Sequence, residues 1–410
     1  MKRRQIIKLL SVAPIAGGII GSNIPFQSAI ASTAPLPLVK RNLFKELGLR
    51  TFINANCVCT DLTASLMPQE VLDAITSAAS EFVMLDDVQD KVGEKIAAFC
   101  HAEAATVTAG CWSALVLGTA GVLTGMDNKR VNQLPFLEGT GMKSEVILQK
   151  GHADGYHRAL TNAGVSLVFI ETKEEAEAAI NDKTAMMWFL NKGTSKGQIK
   201  HEEWLVLAKK HNIPTMIDIA SDAYPVENLW KFNDMGFDLV ALSGGKAMRG
   251  PQSAGILMGK KELIAAARLS APPRGGICRG HKVNKEEILG MYVTIERYIN
   301  LDHEKEWKIW EDRVAVIVNS LKSINGVSTE VFVPPYNSSS PTLNIFWDNK
   351  VKLTGDQLRA KLRNGNPSIE VKGRLRDGRI NGIEVTVFMM KSGHAEEVAR
   401  RIKEELQIFG

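Results

Sequence analysis

The segment Leu239-Val240-Ala241-Leu242-Ser243-Gly244-Gly245-Lys246 carries two signals side by side, a short apolar run and a glycine-flanked lysine. An uninterrupted apolar run of this length is typical of a β-strand buried on both faces, as in a parallel sheet covered by helices. The glycines end the strand and let a ligand approach the backbone beside Lys246. The segment therefore predicts an α/β fold with a binding site at the carboxyl end of this strand.

The same pattern recurs from about residue 66 to residue 283, where apolar runs alternate with helical periodicity. Further strands are predicted at 105–108, 145–149, 166–170, 185–190, 215–218 and 254–258. Helices are predicted at 69–81, 88–100, 111–124, 154–163, 173–181, 200–211 and 226–235. Seven strands separated by helices predict one large domain, 66–283, with a mostly parallel seven-stranded sheet.

A smaller α+β domain is predicted over residues 284–410, after the loop 272–276. Long helices are predicted at 283–300 and 304–324. Strands near 328–333, 341–347, 368–372 and 383–389 then alternate with helices near 354–364 and 394–407. Residues 32–65 are predicted to form an extended arm that precedes the large domain.

The first 31 residues have the pattern of an export signal. A basic start is followed by the apolar run 9–20 and by Ala29-Ile30-Ala31, a small-x-small cleavage site. The run is shorter than a membrane-spanning helix and contains proline and paired glycine, although an uncleaved anchor helix is the alternative. Arg3-Arg4 resembles a twin-arginine signal, which exports folded proteins. We predict cleavage after Ala31, a periplasmic protein and no stable membrane insertion after cleavage.

The charge of the chain argues against a nucleic-acid partner. The 410 residues carry a formal net charge of +5, and the four cations Lys2, Arg3, Arg4 and Lys8 leave +1 for the rest. So weak a positive charge does not favour binding to a phosphate backbone. The length and the 45% hydrophobic content exclude a small disulfide scaffold and a disordered tail.

The five cysteines do not form a disulfide or metal framework in this interpretation. Cys57 and Cys59 are separated by one residue, which is too close for an easy bridge, and no metal-type Cys-x-x-Cys pair is present. We therefore expect small buried thiols. A metal or redox site at Cys57 and Cys59 is the alternative.

Polar residues follow three of the predicted strands, where ligands of such sheets bind. The turn Thr108–Ala114 opens a helix with small residues, so its free amides favour an anion such as phosphate. Asp218 ends an apolar strand and would need a cationic partner if buried. Lys246 would become a Schiff-base nucleophile if it were desolvated. Taken singly, the turn could also be a plain β–α turn and Lys246 a solvated loop lysine.

Together the three ends meet the requirements of pyridoxal phosphate. The lysine holds the aldehyde as an imine, the helix end holds the phosphate, and the acid pairs with the ring nitrogen. No Gly-x-Gly-x-x-Gly follows an early strand, which disfavours a nicotinamide dehydrogenase.

The sequence resembles the fold type I pyridoxal-phosphate enzymes, and within them the selenocysteine synthase-like family. The resemblance runs from about residue 53 to 299. The segments that carry it are 53–55, 89–94, 108–114, 139–147, 243–246, 250–255 and 279–287. It implies the aspartate aminotransferase-like fold and a homodimer or higher oligomer. The sequence departs from the family at 56–59 and at Cys111-Trp112, near the expected substrate side.

The resemblance also implies roles for individual residues. Lys246 would form the internal aldimine and Asp218 would pair with the pyridine nitrogen. The phosphate would be held by Gly110, Cys111 and Ser243.

Two more residues are candidates for cofactor contacts. His152 would stack on the cofactor, and Asn191 would bond its phenolic oxygen. The alternatives are a surface histidine and a turn asparagine. A zinc site at His152, Asp154 and His157 lacks a complete ligand set.

A substrate carboxylate or phosphate requires a fixed cation. Arg279 and Lys282 are the first candidates by resemblance, and Arg374 and Arg376 in the small domain are the second. A solvated basic surface is the alternative for each cluster.

The predicted function is a pyridoxal-phosphate enzyme acting on an amino acid or amino-sugar acid. Formation of an external aldimine would free Lys246 to remove the α-proton, and the resemblance favours elimination from the α-carbanion, a lyase reaction. An aminotransferase and a racemase start from the same carbanion. A non-catalytic exported binding protein is the alternative of another class. Selenium transfer on tRNA is disfavoured by the charge and by export.

Overall fold

The computed structural model describes residues 41–336 and 339–409. The predicted signal peptide, its cleavage site and the first part of the arm lie outside these residues. In the unit that ends at Arg50, the described residues 41–50 contain the short helix α1 (Leu43–Glu46), and the Asn42 side chain caps it by accepting a hydrogen bond from the Lys45 amide. Residues from Thr51 onward form a second unit, which contains both predicted domains.

The large domain is built on the predicted seven-stranded sheet, and the α/β fold is confirmed. Its order is β2-β8-β7-β6-β5-β3-β4, and β8 alone runs antiparallel to its neighbours. The strands are β2 (Ala104–Thr108), β3 (Glu145–Gln149), β4 (Ser166–Ile170), β5 (Thr184–Leu190), β6 (Thr215–Asp218), β7 (Leu239–Ser243) and β8 (Gly255–Gly259). Each overlaps a predicted strand, because buried strands are apolar on both faces.

Helices cover both faces of this sheet. They are α2 (Gln69–Ala79), α3 (Leu85–Phe99), α4 (Gly110–Thr124), α5 (Asn128–Gln133), α6 (Arg158–Thr161), α7 (Lys173–Ala179), α8 (His201–Lys210), α9 (Asn228–Met235), α10 (Lys261–Leu269) and α11 (Lys285–Ile299). Alternate strand residues enter different clusters: Ile147 and Ile217 pack with α3, α8, α9 and α11, whereas Val146 and Met216 pack with α4, α6 and α10. The sheet is therefore buried between two helical layers.

The helix predicted at 154–163 is wrong over most of its length. Only α6 (Arg158–Thr161) is helical there, because Gly155 has φ +104° and the chain turns before Arg158. This turn has a functional consequence, because it places the preceding loop at the carboxyl edge of the sheet. Helices α5 and α10 were not among the predicted elements.

A buried glutamine completes the hydrogen bonding of β2, the edge strand of the sheet. The Gln89 side chain on α3 donates to the Val107 carbonyl and accepts from the Val107 amide at 2.8 and 3.0 Å, and it also accepts from the Thr106 hydroxyl. It acts in place of a further strand, satisfying backbone groups that would otherwise be unpaired. This pairing fixes the strand that leads into α4.

The smaller domain has an antiparallel sheet of order β12-β10-β9. Its elements are α12 (His303–Leu321), β9 (Val327–Phe332), β10 (Thr342–Trp347), α13 (Gly355–Asn364), β11 (Ile369–Glu370), β12 (Gly382–Thr386) and α14 (His394–Phe409). The arm joins this domain, since β1 (Ile53–Asn54) pairs in parallel with β11 and Ile53 enters its core. By contrast, α11 packs in the core of the large domain.

No helix within 41–336 and 339–409 has the length and apolar content needed to cross a membrane.

Candidate active site

The sheet brings the three predicted strand ends together at one edge. Thr108 of β2 pairs with Gly255 of β8, and Gly255 pairs with Ser243 of β7. The next strand, β6, ends at Asp218. The order of the strands thus places residues far apart in sequence side by side, as expected for a ligand site beyond the carboxyl ends of the strands.

Asp218 is a buried carboxylate that lies near enough to Lys246 to interact with it electrostatically. It is only 2% exposed, and its Oδ1 accepts a hydrogen bond from the Ala220 amide at 2.9 Å. Burial raises its pKa to about 6, and the positive charge of Lys246 partly opposes that rise. A second cation on the open side of Asp218 would offset the remaining cost of burial. The protonated nitrogen of a pyridine ring is such a cation.

The Cys111 thiol is also part of this buried group. Its Sγ lies 3.7 Å from Oδ1 of Asp218. Burial, followed by the negative charge of Asp218, raises the pKa of the thiol well above its usual range, so Cys111 remains protonated. It can therefore donate a weak hydrogen bond to the carboxylate.

The start of α4 has a backbone geometry that suits the predicted anion cradle. Gly110 has φ +78°, a conformation that glycine adopts without strain. A Cβ atom on Gly255 would lie 2.5 Å from the Gly110 carbonyl carbon and 2.6 Å from the Cys111 nitrogen, so only glycine fits between β8 and this turn. The first amides of a helix have no partner within it and favour an anion. The residues present fit a bound phosphate next to Asp218 and Lys246.

His152 does not line the cavity next to Lys246, contrary to the role expected for it. Its ring is fully buried and packs edge-on against Phe189 at 4.4 Å, and its Nδ1 accepts a hydrogen bond from the Leu190 amide. Burial lowers its pKa to about 4, so the ring is neutral. The aromatic ring beside Lys246 belongs to Tyr156, which lines the cavity 5.9 Å from Nζ of Lys246.

Both polar atoms of the Asn191 side-chain amide contact other protein groups. Its Nδ2 donates to Asp222 at 2.9 Å, and its Oδ1 lies 3.0 Å from Nε2 of His201. It begins the 3₁₀ turn Asn191–Gly193 after β5. This arrangement favours the alternative interpretation, a turn asparagine.

A cavity of about 210 Å³ opens beside Lys246. The large domain contributes Lys246, Tyr156 and Lys192, and the ammonium of Lys192 is paired with Asp154 at 2.6 Å. The arm contributes residues 56–60. The small domain contributes Pro334, Ser340, Thr342, Lys372, Arg376, Thr386, Phe388 and Met389.

Two cations form the small-domain wall, and both are held by a buried carboxylate. Arg376 donates to Glu384 at 2.8 Å, and Lys372 forms an ion pair with the same side chain, which is fully buried. Burial by itself would raise the pKa of Glu384. The hydrogen bonds from Arg376 and Lys372 together have the larger effect, so the pKa is lowered. Two cations against one anion leave a positive site in the wall of the cavity.

The other predicted substrate cations lie elsewhere. Arg279 and Lys282 are exposed in the loop between α10 and α11 and do not line this cavity. Arg374 is exposed and pairs with Asp356 at 2.9 Å. Of the four candidates, Arg376 is the one that lines the cavity.

The expectation that Cys57 and Cys59 do not form a bridge is wrong. The two residues form a disulfide with a Cα to Cα distance of 5.4 Å, which lies within the ordinary range for disulfides. Residues 57–59 lie in neither a helix nor a strand, so no regular backbone geometry fixes the directions of the two side chains, and sequence spacing alone did not indicate the bridge. Both cysteines line the cavity.

Among the cavity residues that the sequence did not single out are Tyr156, Lys192, Lys372 and Ser340. One signal was present for Lys372, because Glu384 interrupts the apolar strand β12 and a buried carboxylate needs a cation. For metals, residues 41–336 and 339–409 contain no group of three or more His, Cys, Asp or Glu that could hold an ion.

Comparison with known proteins identifies relatives across most of the chain. Residues 169–279 match the family described as aminotransferase class-V. D-glucosaminate-6-phosphate ammonia lyase of Salmonella typhimurium is 27% identical over 350 residues, 83% of this chain and 88% of that protein. A 5'-C-glycyluridine monooxygenase-decarboxylase of a Streptomyces species is 25% identical over 90% of this chain and 92% of that protein.

A third relative matches a shorter part of the chain. L-seryl-tRNA(Sec) selenium transferase of Aquifex aeolicus is 26% identical over 56% of this chain and 55% of that protein. Among solved structures, a D-glucosaminate-6-phosphate ammonia-lyase superposes with a TM-score of 0.79 at 24% identity, covering 90% of this chain and 99% of that chain.

The fold, the cradle at Gly110, and Lys246 beside the buried Asp218 agree with these relationships. These similarities support the selenocysteine synthase-like family of fold type I enzymes as the family that this chain resembles, and they indicate pyridoxal phosphate as its cofactor.

Proposed function

We propose that the protein is a pyridoxal-phosphate-dependent lyase acting on an amino acid or amino-sugar acid that carries a further anionic group. The observation that carries this proposal is one cavity lined by Lys246 at one side and by Lys372 and Arg376 at another. The relative named as an ammonia lyase acts on a phosphorylated amino-sugar acid by its name, which supports elimination and an anionic substrate.

The cofactor, when bound, supplies an electron sink for the charge left when the substrate loses its α-proton. Lys246 would hold it covalently, Asp218 would face its ring nitrogen, and the amides at Gly110 and Cys111 would hold its phosphate. Tyr156 lies beside Lys246 and would cover one side of the site.

Lys246 is placed to move the proton at the substrate α-carbon. Its Nζ faces the cavity, and neither a hydrogen bond nor an ion pair to another described residue is found for it. An amine in this position can take the proton and deliver it to a leaving group at the neighbouring carbon. Loss of that proton together with the β-substituent is the elimination that we propose.

Lys372 and Arg376 would bind the anionic group of the substrate. Ser340 supports this role, because its Oγ is buried in the cavity wall and has no hydrogen-bond partner among the described residues. Buried polar groups are usually paired, so an unpaired hydroxyl beside two cations indicates a place for ligand oxygens. The binding energy would orient the α-carbon toward Lys246.

We further propose that the protein is exported. The basic, apolar and small-x-small pattern of residues 1–31 supports a cleaved signal. The Cys57–Cys59 disulfide supports it as well, because disulfides persist mainly in oxidising compartments. The homodimer implied by the resemblance stays a prediction. The fully exposed Phe82 and the exposed Met84 form an apolar loop that a second copy would cover.

Reduction of the holoenzyme with borohydride should attach the cofactor to residue 246. We expect one modified peptide by mass spectrometry, and ammonia release from D-glucosaminate 6-phosphate or from another anionic amino acid in a substrate screen. Lys246→Ala should lose the label and lower turnover by roughly a thousandfold or more, because both the covalent link and the base are removed. Label at another lysine, or parent turnover in the variant, would contradict the proposal.

Replacement of Asp218 by asparagine should separate the free-energy cost of burying the carboxylate from its role in holding the cofactor. The rise in the Asp218 pKa from 3.8 to about 6 corresponds to about 3 kcal/mol. The contribution of protonated Asp218 to the free energy of unfolding is fully present below pH 3.8 and is lost as the pH rises through 6. Cofactor-free Asp218→Asn should therefore be more stable than the parent at pH 7 and equally stable at pH 3.5, as measured by urea unfolding.

The same variant should retain cofactor less well and turn over more slowly, because the ring nitrogen loses its charged partner. The cofactor dissociation constant, measured by absorbance titration, tests this part. If the stability difference between variant and parent is the same at pH 3.5 and at pH 7, Asp218 does not have the buried environment assigned to it. If the cofactor affinity of the variant is unchanged, Asp218 does not hold the cofactor.

Two arginines close in sequence provide a matched test of the anion site. Arg376→Met should raise KM for an anionic substrate about tenfold or more, since a charge-assisted hydrogen bond is lost, with a smaller effect on kcat. Arg374→Met should behave like the parent, because Arg374 is exposed and does not line the cavity. Equal effects of the two substitutions in steady-state kinetics would show that the cavity wall does not select the substrate.

The export proposal predicts a mature protein that begins at Ser32. Expression of the full chain with its signal, followed by isolation of the periplasmic fraction and intact-mass measurement, tests this. Arg3→Lys combined with Arg4→Lys should keep the precursor in the cytoplasm, because the twin-arginine pair is removed while the charge is retained. A precursor of full mass in the periplasmic membrane fraction would favour the anchor instead.

A further inference from the structure

The Cys57–Cys59 disulfide lies in the wall of the substrate cavity together with Lys246, Lys372 and Arg376. Cys59 is exposed and Cys57 is half-buried, so a small molecule can reach the bond from the cavity side. The other cysteines within the described residues are Cys100, Cys111 and Cys278, none of which is bridged. Among the described residues, Cys57 and Cys59 are therefore the cysteines that line this cavity.

On its N-terminal side, the disulfide is anchored to the small domain. Asn56 donates from its side chain to the Val371 carbonyl at 3.3 Å, and the Thr386 hydroxyl donates to the Asn56 carbonyl at 2.9 Å. The Ala55 amide donates to the Glu370 carbonyl next to β11. These contacts hold the chain up to residue 56 on the domain that carries the proposed anion site.

On its C-terminal side, the disulfide leads to the loop that carries Lys246. The Ser65 hydroxyl donates to the carbonyl of Gly245 at 2.9 Å, directly before Lys246. Arg249 in the same loop donates to the Leu66 carbonyl at 3.2 Å. The segment 57–64 therefore spans the interval between the two walls of the cavity.

This segment has a conformation that must be held by its surroundings. Thr63 and Ala64 have φ values of +63° and +58°, in the left-handed region that non-glycine residues rarely adopt. The Cys59 carbonyl accepts hydrogen bonds from the Leu62 and Ala64 amides, so the position of Cys59 fixes the turn. Such backbone conformations persist only where several contacts enforce them.

We propose that the Cys57–Cys59 disulfide is a thiol-exchange site of the substrate cavity, and that its reduction by a small dithiol releases residues 57–64 and weakens substrate binding. The part that concerns substrate rests on the proposed function, whereas the exchange and the release of the segment do not.

The exchange is a balanced two-electron step. A thiolate of the dithiol attacks the exposed Cys59 sulfur, the bond between the two cysteine sulfurs breaks, and Cys57 leaves as a thiolate. The cations of the cavity wall favour that anion, which then takes a proton. The second thiol of the reagent attacks the mixed disulfide and releases Cys59, so the dithiol is oxidised and the protein gains two electrons and two protons.

The first test follows the bond and the segment without any substrate. Holoenzyme is treated with dithiothreitol, alkylated with iodoacetamide, freed of reagents and mapped by mass spectrometry. We expect label at residues 57 and 59 after reduction only, with Cys100 and Cys278 unlabelled because they are buried. Amide hydrogen exchange in 57–64 should accelerate about tenfold or more, while exchange in β6 and β7 stays unchanged. Full labelling with unaltered exchange would overturn the proposal.

The second test probes access to the cavity. Hydroxylamine should react with the Lys246-bound cofactor about tenfold faster in the reduced, alkylated enzyme, followed by the loss of visible absorbance. KM for the substrate identified by the screen should rise similarly, with kcat changed less. Equal hydroxylamine rates in the two redox states would overturn the proposal, even if Lys246 is confirmed as the cofactor lysine.

The matched variant replaces both sulfurs. Cys57→Ser combined with Cys59→Ser should show the fast hydrogen exchange of the reduced enzyme and no response to dithiothreitol, which also controls for effects of the reagent on the cofactor. If this variant fails to fold, recovery of the slow exchange after reoxidation of the parent with oxidised dithiothreitol decides the same question. A response of the double variant to the reagent would overturn the assignment to these two cysteines.

Discussion

The burial of one carboxylate beside one ammonium is the constraint on which the rest of this site depends. Asp218 ends β6 with almost no solvent contact, and burial raises its pKa despite the charge of Lys246. A buried carboxylate with a strongly shifted pKa is typical of functional sites. Pairing with a cationic ring nitrogen would be the function of Asp218. The close approach of α4 to Gly255 fits the same proposed role, because the amides at the start of α4 would hold the cofactor's phosphate while Asp218 faces its ring.

The two domains supply different parts of the proposed reaction. The large domain would hold the cofactor with groups at strand ends, which the buried sheet keeps in place. The small domain contributes cations whose positions are set by Glu384, a fully buried carboxylate on β12. The arm joins the two through β1 and through Ser65, so the distance between cofactor and substrate anion depends on a short segment that includes a disulfide.

Much of the fold and the cofactor half of the site could be predicted. All seven strands of the large sheet were located, because two buried faces require continuous apolar runs. Asp218 and Lys246 were found because strand ends and flanking glycines are local features. The part of the cavity proposed to bind the substrate could not be predicted. Arg374 and Arg376 have the same chemistry, and only the fold places one of them, Arg376, in the cavity wall.

The amino-acid sequence alone determined the α/β class, the order of the strands along the chain and the residues capable of holding the cofactor, because each depends on neighbours within a few positions. The tertiary structure decided which groups face one another. It buried His152 and left Tyr156 in the cavity, and it paired Glu384 with Lys372 and Arg376. It also closed Cys57 onto Cys59. These outcomes depend on long-range packing and on the direction of each side chain, which no local pattern encodes.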